Sequence, residues 1–318
     1  FFKHLIYVLI GISLIFIFSS LNSDQLYKYS IFLFFISLIS LFLVPFVGVE
    51  VKGSKRWIDL FFLPRFQPIE VLKPFLIIIL ATIFCDIRSN ILFKYLISII
   101  LISVISLLLI AQPDIGQTLL VVFCWAVLIF TSGINIYILL AIFIAGASLL
   151  AYLIIFVPKF DYIQGRIFSF FNRETGTHNF QSDKAIDSIT SGGFFGKGIG
   201  EGTLKNRVPE AHTDYIISVI SEEFGVIVII LILILFLVFI FSIFKKVNIE
   251  KDHKTKLILV GSASLILIQA MIHIGVNIRL FPTTGMTLPY ISYGGSSIVG
   301  TSILSGIILN LTKRRVGK

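Results

Sequence analysis

The chain reads as an all-α polytopic membrane protein, on three observations. Of its 318 residues, 57% are apolar and 14% are charged. Soluble domains carry about 25% charged residues, so too few polar side chains remain to coat a water-facing surface. Mean hydropathy is +1.00. The apolar residues fall in long runs without alternation, which favours helices over the strands of a membrane barrel. Disorder, collagen, coiled coil and a disulfide-stapled module are excluded on the same grounds. The two cysteines, Cys85 and Cys124, read as reduced thiols acting as small hydrophobes.

A spanning helix needs about 20 apolar residues to cross roughly 30 Å of hydrocarbon. Nine stretches are candidates: 5–20, 30–48, 68–85, 95–111, 117–132, 136–157, 215–244, 257–278 and 288–311. The seventh is too long for one straight span, so its first turns are expected outside the bilayer or entering at a slant. The net charge of +9 comes mostly from basic residues in the gaps, where they orient helices, meet anionic lipid or bind anionic substrates rather than nucleic acid. Lys245, Lys246, Lys251, Lys254 and Lys256 share one gap, and Lys313, Arg314, Arg315 and Lys318 form the tail. Two spans separate the groups, so both are expected on the cytoplasmic side. That places 49–66 and 158–213 outside. The first is expected to lie in the interface plane, its cations mixed with Trp57 and Ile58. The second is a large loop within one domain of residues 1–318, and its aromatic residues argue against disorder.

Polar residues at membrane depth mark either structural pairs or substrate contacts. Gln67-Pro68-Ile69-Glu70 opens a span, and Lys73 stands one turn after Glu70, the spacing of an ion pair. Pro74 withdraws the helical donor of the Glu70 carbonyl. Gln112-Pro113-Asp114-Ile115-Gly116-Gln117 reads as a turn with an aspartate cap. The segment 191–202 is half glycine, and it fits a hinge or a phosphate-cradling nest equally well. Pro209-Glu210-Ala211-His212-Thr213-Asp214 leads straight into an apolar run, where Asp214 suits a helix cap and Glu210, His212 and Asp214 are only loosely spaced as metal ligands. Glu222 and Glu223 sit in apolar surroundings and need partners or raised pKa values. Pro282 to Ser297 holds a tight turn and a broken helix start.

Taken in order, Arg56-Trp57, Phe66-Gln67-Pro68-x-Glu70-x-x-Lys73, Gln112-Pro113-Asp114-x-Gly116, Ser191-Gly192-Gly193, Pro209-Glu210-x-His212-Thr213-Asp214, Glu222-Glu223-x-Gly225 and Pro282-Thr283-Thr284-Gly285 through Ser292-Tyr293-Gly294-Gly295-Ser296 resemble the SEDS (shape, elongation, division and sporulation) proteins. The resemblance runs over the whole chain. Gly48-Val49-Glu50-Val51-x-Gly53, Pro209-Glu210-Ala211-His212 and Gly275-Val276-Asn277 are similar to the division-type branch rather than the elongation type. The family has ten spans, so Phe1–His4 reads as the loop after an absent first one. The chain departs from the family at Ile69 (usually Ser), Phe224 (Leu), His273 (Asn) and Arg279 (Gly).

The resemblance implies a peptidoglycan glycosyltransferase of the bacterial cytoplasmic membrane, at the division septum. Its substrates would be lipid II and the undecaprenyl-pyrophosphate-linked glycan, and its partners a class B penicillin-binding protein transpeptidase and other division proteins. It places the catalytic aspartate at Asp214, a base for the acceptor hydroxyl. Expected substrate-binding residues are Arg56, Gln67, Glu70, Lys73, Lys205, Glu210, His212, Thr213 and Ser292. The pyrophosphate leaving group calls for cations, for which Arg56, Lys73, Lys205 and Arg207 are candidates, or for a divalent ion, Mg2+ or Mn2+. A lipid II flippase and a non-catalytic divisome scaffold are the alternative readings.

Overall fold

The computed structural model describes residues 2–51, 53–60, 63–87, 90–171 and 177–313. Seven of its helices are long and apolar enough to cross a membrane: α2 (Ser23–Val47), α3 (Pro68–Cys85), α4 (Ile91–Ala111), α6 (Ile136–Phe156), α9 (Ile216–Ile249), α10 (His253–Asn277) and α11 (Gly295–Thr312). Two shorter apolar stretches, His4–Ser20 within α1 (Phe2–Ser20) and Ile115–Thr131 as α5, complete the nine expected. Residues 2–4, read as loop, belong to α1. Arg314, Arg315 and Lys318 of the basic tail lie outside the described residues, as does Phe1.

Hydropathy alone cannot say which face of such helices meets protein, because lipid is as apolar as leucine. Small polar residues can. In α2 the buried positions are Leu26, Ser30, Phe34, Ser37, Leu41 and Val44, one stripe at three- and four-residue spacing. Phe32, Phe35, Ile39, Phe42 and Phe46 point away from it and stay exposed. α3 has no such free face and is buried along most of its length.

The chain divides into two compact units. The first comprises Phe1–Gly133, Ile240–Ile268 and Gly294–Lys318, and the second Ile134–Phe239 and Gln269–Tyr293. In the first, α1 packs on α11, and α3 packs on α2, α4, α5 and α11. Asn310 of α11 donates to the carbonyls of Phe18, at 2.9 Å, and Leu21, at 2.6 Å, tying the end of α1. The 49–66 connection is not a plain interfacial segment but a three-stranded antiparallel meander, β1 (Val49–Val51), β2 (Ser54–Leu60) and β3 (Leu63–Phe66). Its two-residue period exposes Lys55 and Asp59 while turning Arg56 and Ile58 inward.

In the second unit the 158–213 connection is largely helical, with α7 (Asp161–Phe171), α8 (Thr177–Gly192) and a 3-10 turn at Leu204–Arg207. α9 resolves the problem of its length by breaking. Gly225 stands at φ 78°, ψ 177°, a combination open only to glycine. The amides of Lys197 and Gly198 donate to the carbonyls of Glu222 and Glu223 just before the break. Those of Val226 and Ile227 just after it donate to the carbonyls of Gly193 and Phe194. A side chain at Gly196 or Gly225 would overlap backbone of the opposing segment. The final helix starts at Gly295 rather than 288, because 282–293, bracketed by Pro282 and Pro289, runs through turns and irregular backbone instead.

Candidate active site

The predicted site residues fall into two groups, one in each unit. In the first unit, Glu70 and Lys73 form a buried ion pair of 2.9 Å, each side chain at most 4% exposed. Gln117 closes it, donating to Glu70 Oε1 at 2.6 Å while its own Oε1 accepts from Lys73 Nζ at 3.1 Å. Next to this ring Asp114 caps α5 by accepting the Gln117 amide, and it also accepts from Gln67 Nε2 at 3.0 Å. Arg56 arrives from the inward face of β2. It lies 3.8 Å from Asp114 and donates to the carbonyls of Gln112 and Pro113. Burial pushes the Asp114 carboxyl up, against the pull of Arg56 and of the Gln117 amide. Both proline-containing motifs thus fold into one network that also recruits Gln117, for which the sequence offered only its place at the end of the second motif. Lys73 faces protein acceptors here, an internal pair rather than an open cation.

The second unit contains the other six. Asp214 is half-buried in a turn that precedes α9, and the turn is held by its carbonyls. His212 O accepts from the Tyr293 amide at 2.9 Å, Thr213 O from Ser292 Oγ at 2.7 Å, and Asp214 O from Asn277 Nδ2 at 3.0 Å. Glu210 adopts φ 56° and its carbonyl takes the amides of Thr213, Asp214 and Tyr215. Ser292 is 2% exposed, and its oxygen also accepts the Leu288 amide at 2.8 Å, so it fixes the turn rather than facing outward. Glu210 and His212 are exposed, and Thr213 is half-buried.

One face of α10 supports this arrangement. Gln269, His273 and Asn277 recur every four residues. Gln269 holds Thr287 O at 3.0 Å, the His273 Nδ1 lies 2.7 Å from Met286 O, and Asn277 holds Asp214 O. His273, a departure from the family pattern, is therefore a strut for the 282–293 segment. Arg279, where the family has glycine, keeps a left-handed backbone at φ 59° and pairs with Asp183 of α8.

The glycine-rich segment does not form a phosphate cradle. Its anion is Glu222. The amides of Thr203 and Leu204 donate to Glu222 Oε1 at 2.9 Å, and that of Lys205 donates to Oε2 at 2.6 Å. Ser188 Oγ adds a bond of 3.0 Å and Lys197 Nζ one of 3.2 Å. Glu223 pairs with Lys205 and accepts the Gly200 amide at 3.2 Å. Both carboxylates thus have the partners their setting demands. Arg207 is exposed in the 3-10 turn. Among the described residues no three His, Cys, Asp or Glu side chains gather as a metal site, Glu210, His212 and Asp214 included.

A multi-pass helical membrane protein with a braced carboxylate at the mouth of a broken helix is the class that fold and site define. The chain belongs to the FtsW/RodA/SpoVE family of cell cycle proteins, whose model matches residues 1–316. It is 33% identical over 305 residues to the probable peptidoglycan glycosyltransferase FtsW of Caulobacter vibrioides, covering 94% of this chain and 76% of that one. The protein of the same name in Coxiella burnetii is 32% identical over 323 residues, with 98% and 86% covered. Among solved structures, a chain of a peptidoglycan synthase complex described as coordinating polymerization and crosslinking superposes with a TM-score of 0.83 at 27% identity, covering 98% of this chain and 88% of that one. The rod shape determining protein RodA of Thermus thermophilus gives 0.72 at 28% identity, covering 98% and 86%.

Proposed function

We propose that this chain is a division-type peptidoglycan glycosyltransferase that polymerises lipid II at the outer face of the cytoplasmic membrane during septal wall synthesis, with Asp214 as general base. The observation that carries the reading is the bracing of Asp214: three successive carbonyls, of residues 212 to 214, are each held by a different residue. A turn fixed through its backbone keeps its side chain in place. In the reaction the acceptor sugar's 4-hydroxyl attacks the donor's anomeric carbon. Its proton passes to Asp214, and the bond to the lipid diphosphate breaks with the electron pair leaving on the diphosphate. A nearby carboxylate also favours the positive charge that grows on the sugar ring.

On this reading the Asp214 turn and residues 158–213 lie outside the cell, and the Lys245–Lys256 connection lies in the cytoplasm. A class B penicillin-binding protein would crosslink the strands made here. The closed Glu70–Lys73–Gln117 ring supports a fixed structural element rather than a transport path, which weighs against a flippase. The test is polymerisation of lipid II by the full-length protein with its transpeptidase partner. Asp214→Asn is expected to insert and purify normally and to lose at least about 100-fold in rate, the scale of general base catalysis. A normal rate would remove Asp214 from that role.

A further inference from the structure

We propose that the start of α2 and the ends of α9 and α11 form a binding site for a zwitterionic phospholipid headgroup, a phosphodiester that carries a primary ammonium. The inference goes beyond the catalytic reading, which serves only to assign the site to the inner leaflet.

The site is a cavity of about 420 Å³, within the range of small-molecule sites, about 300–1,000 Å³. It lies wholly in the first unit, at the rim where α2 begins and where α9 and α11 end. Tyr27 and Leu311 line it with apolar surface, and Lys246, Glu250, Asp252 and Lys313 with charge. A purely basic pocket at this depth selects an anionic headgroup. Here two ammoniums share the wall with two carboxylates, so the matching ligand carries one group of each sign.

These charges are not spent on one another. Lys246 Nζ lies 3.9 Å from Glu250 Oε2, beyond hydrogen-bond length. Glu250 Oε1 accepts the amides of Lys251 at 3.0 Å and Asp252 at 3.3 Å, which leaves Oε2 for an incoming N–H. Asp252 is fixed as the cap of α10, its Oδ2 taking the Thr255 amide at 3.0 Å and hydroxyl at 2.6 Å. Lys313 Nζ donates to the Ser19 carbonyl at 2.7 Å, which uses one N–H of its ammonium and leaves the others. A phosphate oxygen can therefore take the remaining lysine donors while a primary ammonium meets Glu250.

What adjoins the cavity points to a lipid rather than a soluble ligand or a peptide. Ser23 and Tyr27 line it from one face of α2, and Ile31 and Phe35 follow at four-residue steps, both exposed. That strip runs about 12 Å along the helix from Tyr27, most of the roughly 15 Å that the hydrocarbon of one leaflet offers. Lys254 Nζ sits 3.7 Å from the centre of the Tyr27 ring, a cation–π contact that holds the ring where the polar pocket meets the apolar strip.

The test is native mass spectrometry of the full-length protein with phosphatidylethanolamine, phosphatidylcholine and phosphatidylglycerol of matched chains. It compares wild type, Lys246→Ala, Glu250→Gln and, as control, Lys245→Ala, whose ammonium stacks on Phe241 instead. Wild type is expected to hold the ethanolamine lipid at least fivefold better than either other lipid. Lys246→Ala should lose at least fivefold in affinity for it, Glu250→Gln should lose the preference over choline, and Lys245→Ala should match wild type. No preference in wild type, wild-type affinity in Lys246→Ala, or wild-type selectivity in Glu250→Gln overturns the proposal. Should Lys246→Ala not fold, the isosteric Glu250→Gln decides alone. Soluble phosphoethanolamine that binds as tightly as the lipid overturns the lipid as occupant, and so does a photocrosslinker at residue 313 that captures protein rather than phospholipid in cells. Selective lipid binding by a protein that makes no polymer would count against the catalytic reading and leave this site standing.

Discussion

Ser292 donates its hydroxyl to the carbonyl of Thr213 at 2.7 Å, one residue before Asp214, and accepts the amide of Leu288 at 2.8 Å. A single buried oxygen thereby joins the turn that carries the candidate base to the segment that α10 supports.

Removing that oxygen should disturb geometry more than substrate affinity. Ser292→Ala leaves a buried amide and a buried carbonyl unmatched, at about 1–3 kcal/mol for each lost partner. Polymerisation kinetics in detergent should show a kcat reduced about tenfold with KM little changed, alongside a lower thermal midpoint. Wild-type kcat would mean that Tyr293 and Asn277 suffice to hold the turn.

The Glu70–Lys73 pair separates structure from catalysis through a double substitution. Lys73→Met strands a buried carboxylate, and breaking one half of a buried pair costs about 3–5 kcal/mol. Glu70→Gln combined with Lys73→Met removes both charges and should recover most of that loss, as read by thermal unfolding. If the double variant is stable and also polymerises lipid II, the pair is architectural. A stable but inactive double variant would assign Lys73 a direct part in the reaction.

Glu222 is expected to behave as an internal counter-ion for its loop. Glu222→Gln keeps the shape but loses the charge that three amides, Ser188 and Lys197 share. The loss should be about 2–3 kcal/mol, within the range for hydrogen bonds to charged groups. Limited proteolysis within 193–207 should accelerate. Unchanged protection of that stretch would show that the backbone bonds to α9 hold it unaided.

The nine apolar helices were legible because each is a run of residues that only a bilayer or a core would accept. The break in α9 is only partly legible: the excess length of the seventh stretch signals that its first turns leave a straight span, but only Gly225, beside Glu222, Glu223 and Phe224, marks where. The strands within 49–66 are less legible, because apolar residues between cations suit an interfacial segment as well as they suit the two-residue alternation of Lys55, Arg56, Trp57, Ile58 and Asp59. At the site, motif order pointed to Asp214, Glu70 and Lys73. Which residues close the contacts depends on distant partners instead. Gln117 meets Glu70 across 47 positions and Asn277 meets Asp214 across 63, and no local pattern encodes such meetings.

The splice at Gly225 gives residues 193–198 a duty that ordinary surface loops do not have. Surface loops tolerate insertions and deletions because water can replace whatever hydrogen bonds are disturbed. Here the same stretch supplies donors to one half of a severed helix and acceptors to the other, and a side chain at Gly196 or Gly225 would overlap the opposing backbone. Lengthening it by even one residue would bare peptide groups on both sides of the cut, so its length should be as tightly constrained as the composition of a core.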